Sequence, residues 1–376
     1  MVVDEAEQVP PEKVLVPVPG LRVLEPWTVG RVTFYPGADA AELIDGRPPV
    51  GPPEGFAAKR IQATIDLART NSIATGDGSR GFDAAFEDLR SSLDVLLLFQ
   101  QATTGMATTA FGLPGDHIAS TIEYIATWPG GQAADQRWQD QSAPGIRRLG
   151  PPMGWTFSDE SRAEWEASEP YQFLSRALAA DEPSEGERRA RVGAELIARA
   201  VREHRPDLKM IGIAAATEAL LLRREQGSQT YRLARYGAWF GCGLRHDDLC
   251  GRDRPICPYL HLVPGDPRLK KLRTLGNTYV GWRCSKWHRV VDWYAARSNA
   301  AHGDPSSVDS KEAERAEYWV IHDLLDPVLL WLRDHPDDPV GDLEAEINAV
   351  QDPDGWVDML AALDSPTPPP QAPPAN

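Results

Sequence analysis

Two residues near the end of one helical stretch, Arg297 and His302 in KWHRVVDWYAARSNAAHG (286–303), have types suited to phosphate chemistry. A guanidinium is always charged and offers five donors in a fork that fits phosphate oxygens. An imidazole titrates near neutrality and can carry a proton either way. The Arg-x4-His spacing alone is weak, because chance supplies about one in a chain of this composition. Arg199/His204 and Arg283/His288 repeat it. Context separates the three: only Arg297/His302 closes a strong apolar stripe, Trp287, Val290, Val291 and Tyr294. Small residues flank it, and a Gly303–Pro305 stop follows. The stripe continued by period places Arg297, Ser298, Ala301 and His302 on the buried face. Residues five apart on an ideal helix point about 140° away from each other, so one straight helix does not make a compact site of them. Convergence needs the helix end or a second protomer.

A second group is the four cysteines. Cys242, Cys250, Cys257 and Cys284 are all within residues 242–284, and His246, His261 and His288 each follow a cysteine by four. Thiolates and imidazoles at helical spacing suit zinc, and a structural metal would stabilise a segment with few apolar residues. The close Cys-x2-Cys pairs of most zinc sites are missing, so unliganded thiols are the competing reading and disulfides a minor one. If zinc is bound, the four cysteines are the expected ligands, with His261 or His288 as substitutes.

The elements that must position these groups follow from periodicity. The chain has 376 residues and a formal charge of −16, which excludes a surface that coats nucleic acid broadly. Charge is uneven: residues 223–303 hold 15 Lys/Arg against six Asp/Glu, which fits a local anion site or a partner surface there. No apolar run is long enough to span a membrane and the acidic start lacks a signal-peptide core, so no membrane association and a cytoplasmic location are expected. Residues 1–13 read as disordered. Residues 14–155 read as a mixed α+β domain with short strands over 14–35, Trp27–Phe34 the clearest, further strands at 59–67 and 117–127 and a helix at 82–101. Thr75–Gly81 reads as a plain turn, lacking the Lys-Ser/Thr ending of a phosphate loop. Pro129–Gly154 reads as a loop with one strand near Ile146.

Residues 156–350 read as helical, with helices at 159–167, 171–180, 187–203, 207–225, 231–240, 286–303, 310–333 and 342–350. A Gly/Pro/Cys insert at 242–278 interrupts them, and a proline-rich tail follows at 351–376. On the 207–225 helix Glu218 falls on the apolar stripe of Ile211, Ala214, Ala215, Ala219 and Leu222. A carboxylate there needs a partner, Arg297 or Arg235, unless it lies at the solvated edge of the face.

Two stretches, IGIAAATEALLL (211–222) and VVDWYAARSNAAHG (290–303), together resemble the HEPN superfamily, and within it the Apea-like group. There a helix with a Glu-Ala-Leu-Leu element precedes a helix ending in Arg-x4-6-His. The resemblance covers roughly residues 187–335. It implies a C-terminal helical bundle that dimerises and an α+β protein overall. It also implies metal-independent cleavage of RNA, not DNA, by 2′-hydroxyl attack, with Arg297 and His302 of two protomers meeting in one cleft. Toxin and phage-defence roles go with that chemistry. On this chain Arg297 would hold the scissile phosphate, His302 would serve as general base or acid, and Glu218 would orient Arg297. Family members often carry Asn, Asp or His directly after the Arg. This chain has Ser298 and then Asn299, so Ser298 or Asn299 would supply the extra hydrogen bond, with Asn299 counted among the site residues. The alternative function is a non-catalytic helical dimer that binds RNA, a nucleotide or a protein partner.

Overall fold

The computed structural model describes residues 13–18, 21–37, 72–104, 121–128, 132–139, 155–223, 227–243, 258–278, 284–304 and 308–349. The strands expected at 59–67 and near Ile146, the disorder expected over 1–12 and the tail expected at 351–376 lie outside them, while Lys13, also expected disordered, opens a strand. The fold is α+β: an antiparallel sheet in the N-terminal part and helices through the rest.

The chain divides by packing into two units after Asp181. The first is built on strands β1 (Lys13–Val18), β3 (Trp27–Val29), β4 (Val32–Pro36), β5 (Ser72–Asp77), β6 (Thr121–Trp128) and β7 (Gln132–Gln139). They form one sheet in the order β3-β4-β5-β1-β6-β7, with every neighbouring pair antiparallel. Strands β2 (Leu21–Val23) and β8 (Trp155–Phe157) form a separate parallel pair. Two expectations change. Trp27–Phe34 is two strands rather than one, because Gly30 takes φ +60° and turns the chain between them. The loop expected over 129–154 holds β7, paired with β6 along its whole length. The Thr75–Gly81 stretch is the end of β5 followed by a 3₁₀ turn at Gly78–Arg80, capped by the Asp77 carboxylate.

Helix α1 (Phe82–Thr104) buries Phe86, Leu89, Leu93, Leu96 and Leu97 at the expected period. Helices α2 (Asp159–Ala167) and α3 (Glu169–Ala179) form as expected, but they belong to this unit, which moves the boundary past the expected position at 155. The physical reason is an aromatic cluster. Trp165 of α2 meets Trp27 at 5.6 Å and Phe99 at 5.1 Å, and Tyr171 of α3 meets Phe99 at 5.3 Å. The Tyr171 hydroxyl also donates to the Leu98 carbonyl at 3.2 Å.

The second unit is helical. Helix α4 (Glu185–Arg202) starts at a capping box in which Ser184 and Glu187 satisfy each other's backbone N–H. Helix α5 (Pro206–Leu221) starts with proline in its first turn. The two lie close because Gly193 leaves room for Leu220, and Ala190, Ala194, Ile197 and Ala198 are buried on α4. Next come α6 (Gln229–Gly243), α7 (Pro258–His261), α8 (Pro267–Thr278) and α9 (Ser285–Ala301). The insert expected to break the helical pattern over 242–278 thus contains a three-turn helix, Pro267–Thr278. Helix α10 (Ser310–Trp319) passes through one wide turn, Val320–Leu324, into α11 (Leu325–Asp334), and α12 (Pro339–Ala349) follows. No helix among the described residues is long and apolar enough to cross a membrane.

Candidate functional site

Helix α9 carries the two motif residues. It begins at Cys284, whose Sγ accepts the Trp287 N–H at 3.4 Å. Its inner face is as the period requires: Trp287, Val290, Val291, Trp293 and Tyr294 are all buried. Trp287 is held between Tyr231 of α6, stacked at 5.8 Å, and Tyr259 of α7 at 4.8 Å. The helix ends in a Schellman motif: Gly303 N donates to Ala300 O at 3.1 Å and Asp304 N to Asn299 O at 3.0 Å. Gly303 takes φ +95°, the conformation glycine adopts most cheaply.

The stripe does not stay buried to its end. Arg297 and Ser298 are half-buried, while Asn299, Ala301 and His302 are exposed. The expectation of a buried His302 is therefore corrected, since the last turn of α9 runs clear of the core. His302 is the C-cap residue, and its backbone N–H bonds to Ser298 O and Asn299 O. Its ring and the Asn299 side chain have no polar partner among the described residues.

Helices α9 and α5 bring Glu218 and Arg297 together. Arg297 Nη2 lies 3.4 Å from Glu218 Oε1, with side-chain exposures of 28% and 24%. Of the two partners expected for Glu218, Arg297 is the one that meets it. Arg235 instead donates to the Leu260 carbonyl and to Asn348 Oδ1, so it ties α6 to the insert and to α12. Both the pairing and the half-buried position hold for Glu218, at the edge of the α5 face.

Two further residues join this pair. Tyr294, one turn before Arg297, donates its hydroxyl to Glu218 Oε1 at 2.6 Å, and Gln229 Oε1 of α6 lies 3.1 Å from the same hydroxyl. The Arg297 guanidinium carbon sits 5.2 Å from the centre of the Tyr294 ring, within cation–π range. Burial, and then the bond to Glu218, push the phenol up to about 12. Arg297 Nε is buried without a hydrogen-bond partner. Sequence reading takes Tyr294 as a packing residue and does not single out Gln229. The signal available for Tyr294 was its place one turn from Arg297 on the same face. Gln229 gave none.

Beside Glu218 a cleft of about 510 Å³ opens between α4, α5 and the start of α6, lined by Glu185, Arg189, Val192, Leu196, Glu218 and Gln229 among others. Arg189 is engaged in the fold, because it donates to the carbonyls of Ala219 and Leu222 at the end of α5. Glu185 holds Arg188 and Arg189. Its carboxyl lies below the ordinary range, burial being outweighed by those two arginines.

Of the cysteine set, Cys250 and Cys257 lie outside the described residues, as does His246. Cys242 stands in the last turn of α6. Cys284 is buried at the α9 N-cap, and His288 is buried with its Nε2 2.8 Å from the Tyr259 hydroxyl. Among the described residues no group of three His, Cys, Asp or Glu side chains stands where it could hold a metal.

No family model matches the chain, and no curated protein or solved structure does.

Proposed function

We propose that the helical unit is a HEPN-type endoribonuclease that cleaves RNA without a metal, by attack of a ribose 2′-hydroxyl on the adjacent phosphate. The observation that supports this most is the meeting of the two motif helices at Glu218 and Arg297. Among the described residues the guanidinium, 28% exposed, has one long ion-pair contact, so the exposed part of the group retains donors for a phosphate oxygen. In this reading Arg297 holds the scissile phosphate and stabilises the charge that develops on it. His302, exposed at the helix stop, moves the proton of the 2′-hydroxyl or of the leaving oxygen. Asn299, exposed three residues earlier, supplies a further hydrogen bond. Five residues of helix separate Arg297 from His302, so a homodimer is part of the proposal: the two chains set the arginine of each near the histidine of the other. A toxin or phage-defence effector is the role this chemistry fits.

The test is incubation of the purified chain with mixed RNA in excess EDTA. Cleavage is expected from the wild type and a loss of at least about 10²-fold from Arg297→Ala and from His302→Ala. RNA binding without cleavage would instead favour the non-catalytic scaffold.

A further inference from the structure

We infer that Tyr294 is the positioning residue that keeps Arg297 available to an anion, by occupying the carboxylate that would otherwise close on it. The inference rests on Arg297 being the anion-holding group. A carboxylate beside a guanidinium ordinarily forms two parallel bonds at about 2.7–2.9 Å. Here the approach is a single one, 3.4 Å from Nη2 to Oε1. That same Oε1 takes the Tyr294 hydroxyl at 2.6 Å, the shorter and better-placed contact. Tyr294 is buried, so its ring is fixed by the core and its hydroxyl does not wander. The ring face meanwhile supports the guanidinium from below at 5.2 Å. Gln229 Oε1, at 3.1 Å, is a second acceptor for the single phenol proton, and Glu218 is the nearer of the two. Glu218 is therefore turned towards the tyrosine, and among the described residues the guanidinium, whose Nε is buried, is left with one long ion-pair contact at Nη2. Because the phenol and the guanidinium are on one helix, one turn apart, the spacing between them is set by backbone geometry rather than by a loop.

Tyr294→Phe keeps the ring and removes the competing bond. Glu218 then has Oε1 free to close on Arg297 as a two-bond fork, and the donors needed by an anion are consumed. Removing the carboxylate's charge in the same chain, Tyr294→Phe/Glu218→Gln, reopens them. A residue with a merely structural role would show no such rescue.

The test reads inorganic phosphate binding to the ¹⁵N-labelled full chain, by NMR of the Arg297 Nε–H signal identified with Arg297→Lys. We expect Tyr294→Phe to raise the phosphate midpoint about tenfold, the scale of one charge-assisted hydrogen bond. The double variant is expected at or below about twofold of the wild-type midpoint. Glu218→Gln alone removes the competing charge and is expected to lower the midpoint, which keeps the test decisive should Tyr294→Phe fail to fold: a tenfold rise there would mean that Glu218 itself holds the guanidinium. An unchanged midpoint in Tyr294→Phe, a double variant no better than the single one, or a wild-type signal that phosphate does not move would each overturn the inference. Wild-type protein that shows this pattern but does not cleave RNA would sink the ribonuclease reading alone.

Discussion

Lys209 of α5 and Glu317 of α10 form an ion pair in which the side chains are only 5% and 10% exposed, and the ammonium also reaches the Val201 carbonyl of α4 at 3.4 Å. Three helices of the second unit meet at this point. Burial pushes the Glu317 carboxyl above its ordinary 4.5, and Lys209 pulls it back. Lys209→Met removes the pull and leaves burial to push the carboxyl further up, towards its protonated form. Keeping it protonated at pH 7.5, three units above its ordinary 4.5, costs about 4 kcal/mol at about 1.36 kcal/mol per unit. At pH 5.5 the same cost is about 1.4 kcal/mol. The first figure falls within the roughly 3–5 kcal/mol found when one partner of a buried pair is removed. The sign follows from proton binding: the native variant holds the proton more tightly than its unfolded chain does, so stability falls as pH rises through the window above 4.5. Urea unfolding of wild type and variant at both pH values, followed by far-ultraviolet circular dichroism, measures the difference. Lys209→Met/Glu317→Leu should recover most of the loss, because an apolar pair needs no desolvation of charge. A loss under about 1 kcal/mol at pH 7.5, or one equal at the two pH values, would refute the reasoning.

Two other outcomes are expected. Gly186→Ala should destabilise the second unit by more than about 2 kcal/mol, since the added methyl would run into the Leu332 carbonyl oxygen, a backbone atom that cannot swing aside; a thermal midpoint unchanged from wild type would contradict this. Tyr294 should be among the late-ionising tyrosines in an alkaline absorbance titration, with Tyr236, which burial also pushes up. The Tyr294 proton is held more tightly in the native state than in the unfolded chain, so the stability it contributes is fully present below pH 10 and is lost as pH rises through about 12. A Tyr294→Phe protein that loses no late-titrating phenol would remove that assignment.

What was legible in the sequence is tied to period and punctuation. Helix α9 can be placed almost to the residue because its apolar stripe and Gly303 are both local signals. Glu218 and Arg297 stand out because charged residues on apolar stripes must answer to one another, and they do. The stripe does not say where burial stops, so the exposure of His302 is set by where α9 leaves the core. Strand β7, QAADQRWQ, has neither alternation nor β-branched residues, and its pairing with β6 was hidden for that reason. The allegiance of α2 and α3 to the first unit was equally hidden. It is decided by ring contacts from Trp165 and Tyr171 to Phe99, more than sixty residues away in the chain. Tyr294 was hard to read as part of the site, because a tyrosine on an apolar face reads as core whether or not its hydroxyl is used.

The most direct test of the central claim is the chemistry of the RNA ends left by the purified chain in excess EDTA. The account predicts fragments ending in 2′,3′-cyclic phosphate, no cleavage of DNA of the same sequence, and no fragments from Arg297→Ala or His302→Ala. Intact RNA, cleavage that stops when metal is removed, or cleavage that survives both substitutions would contradict it.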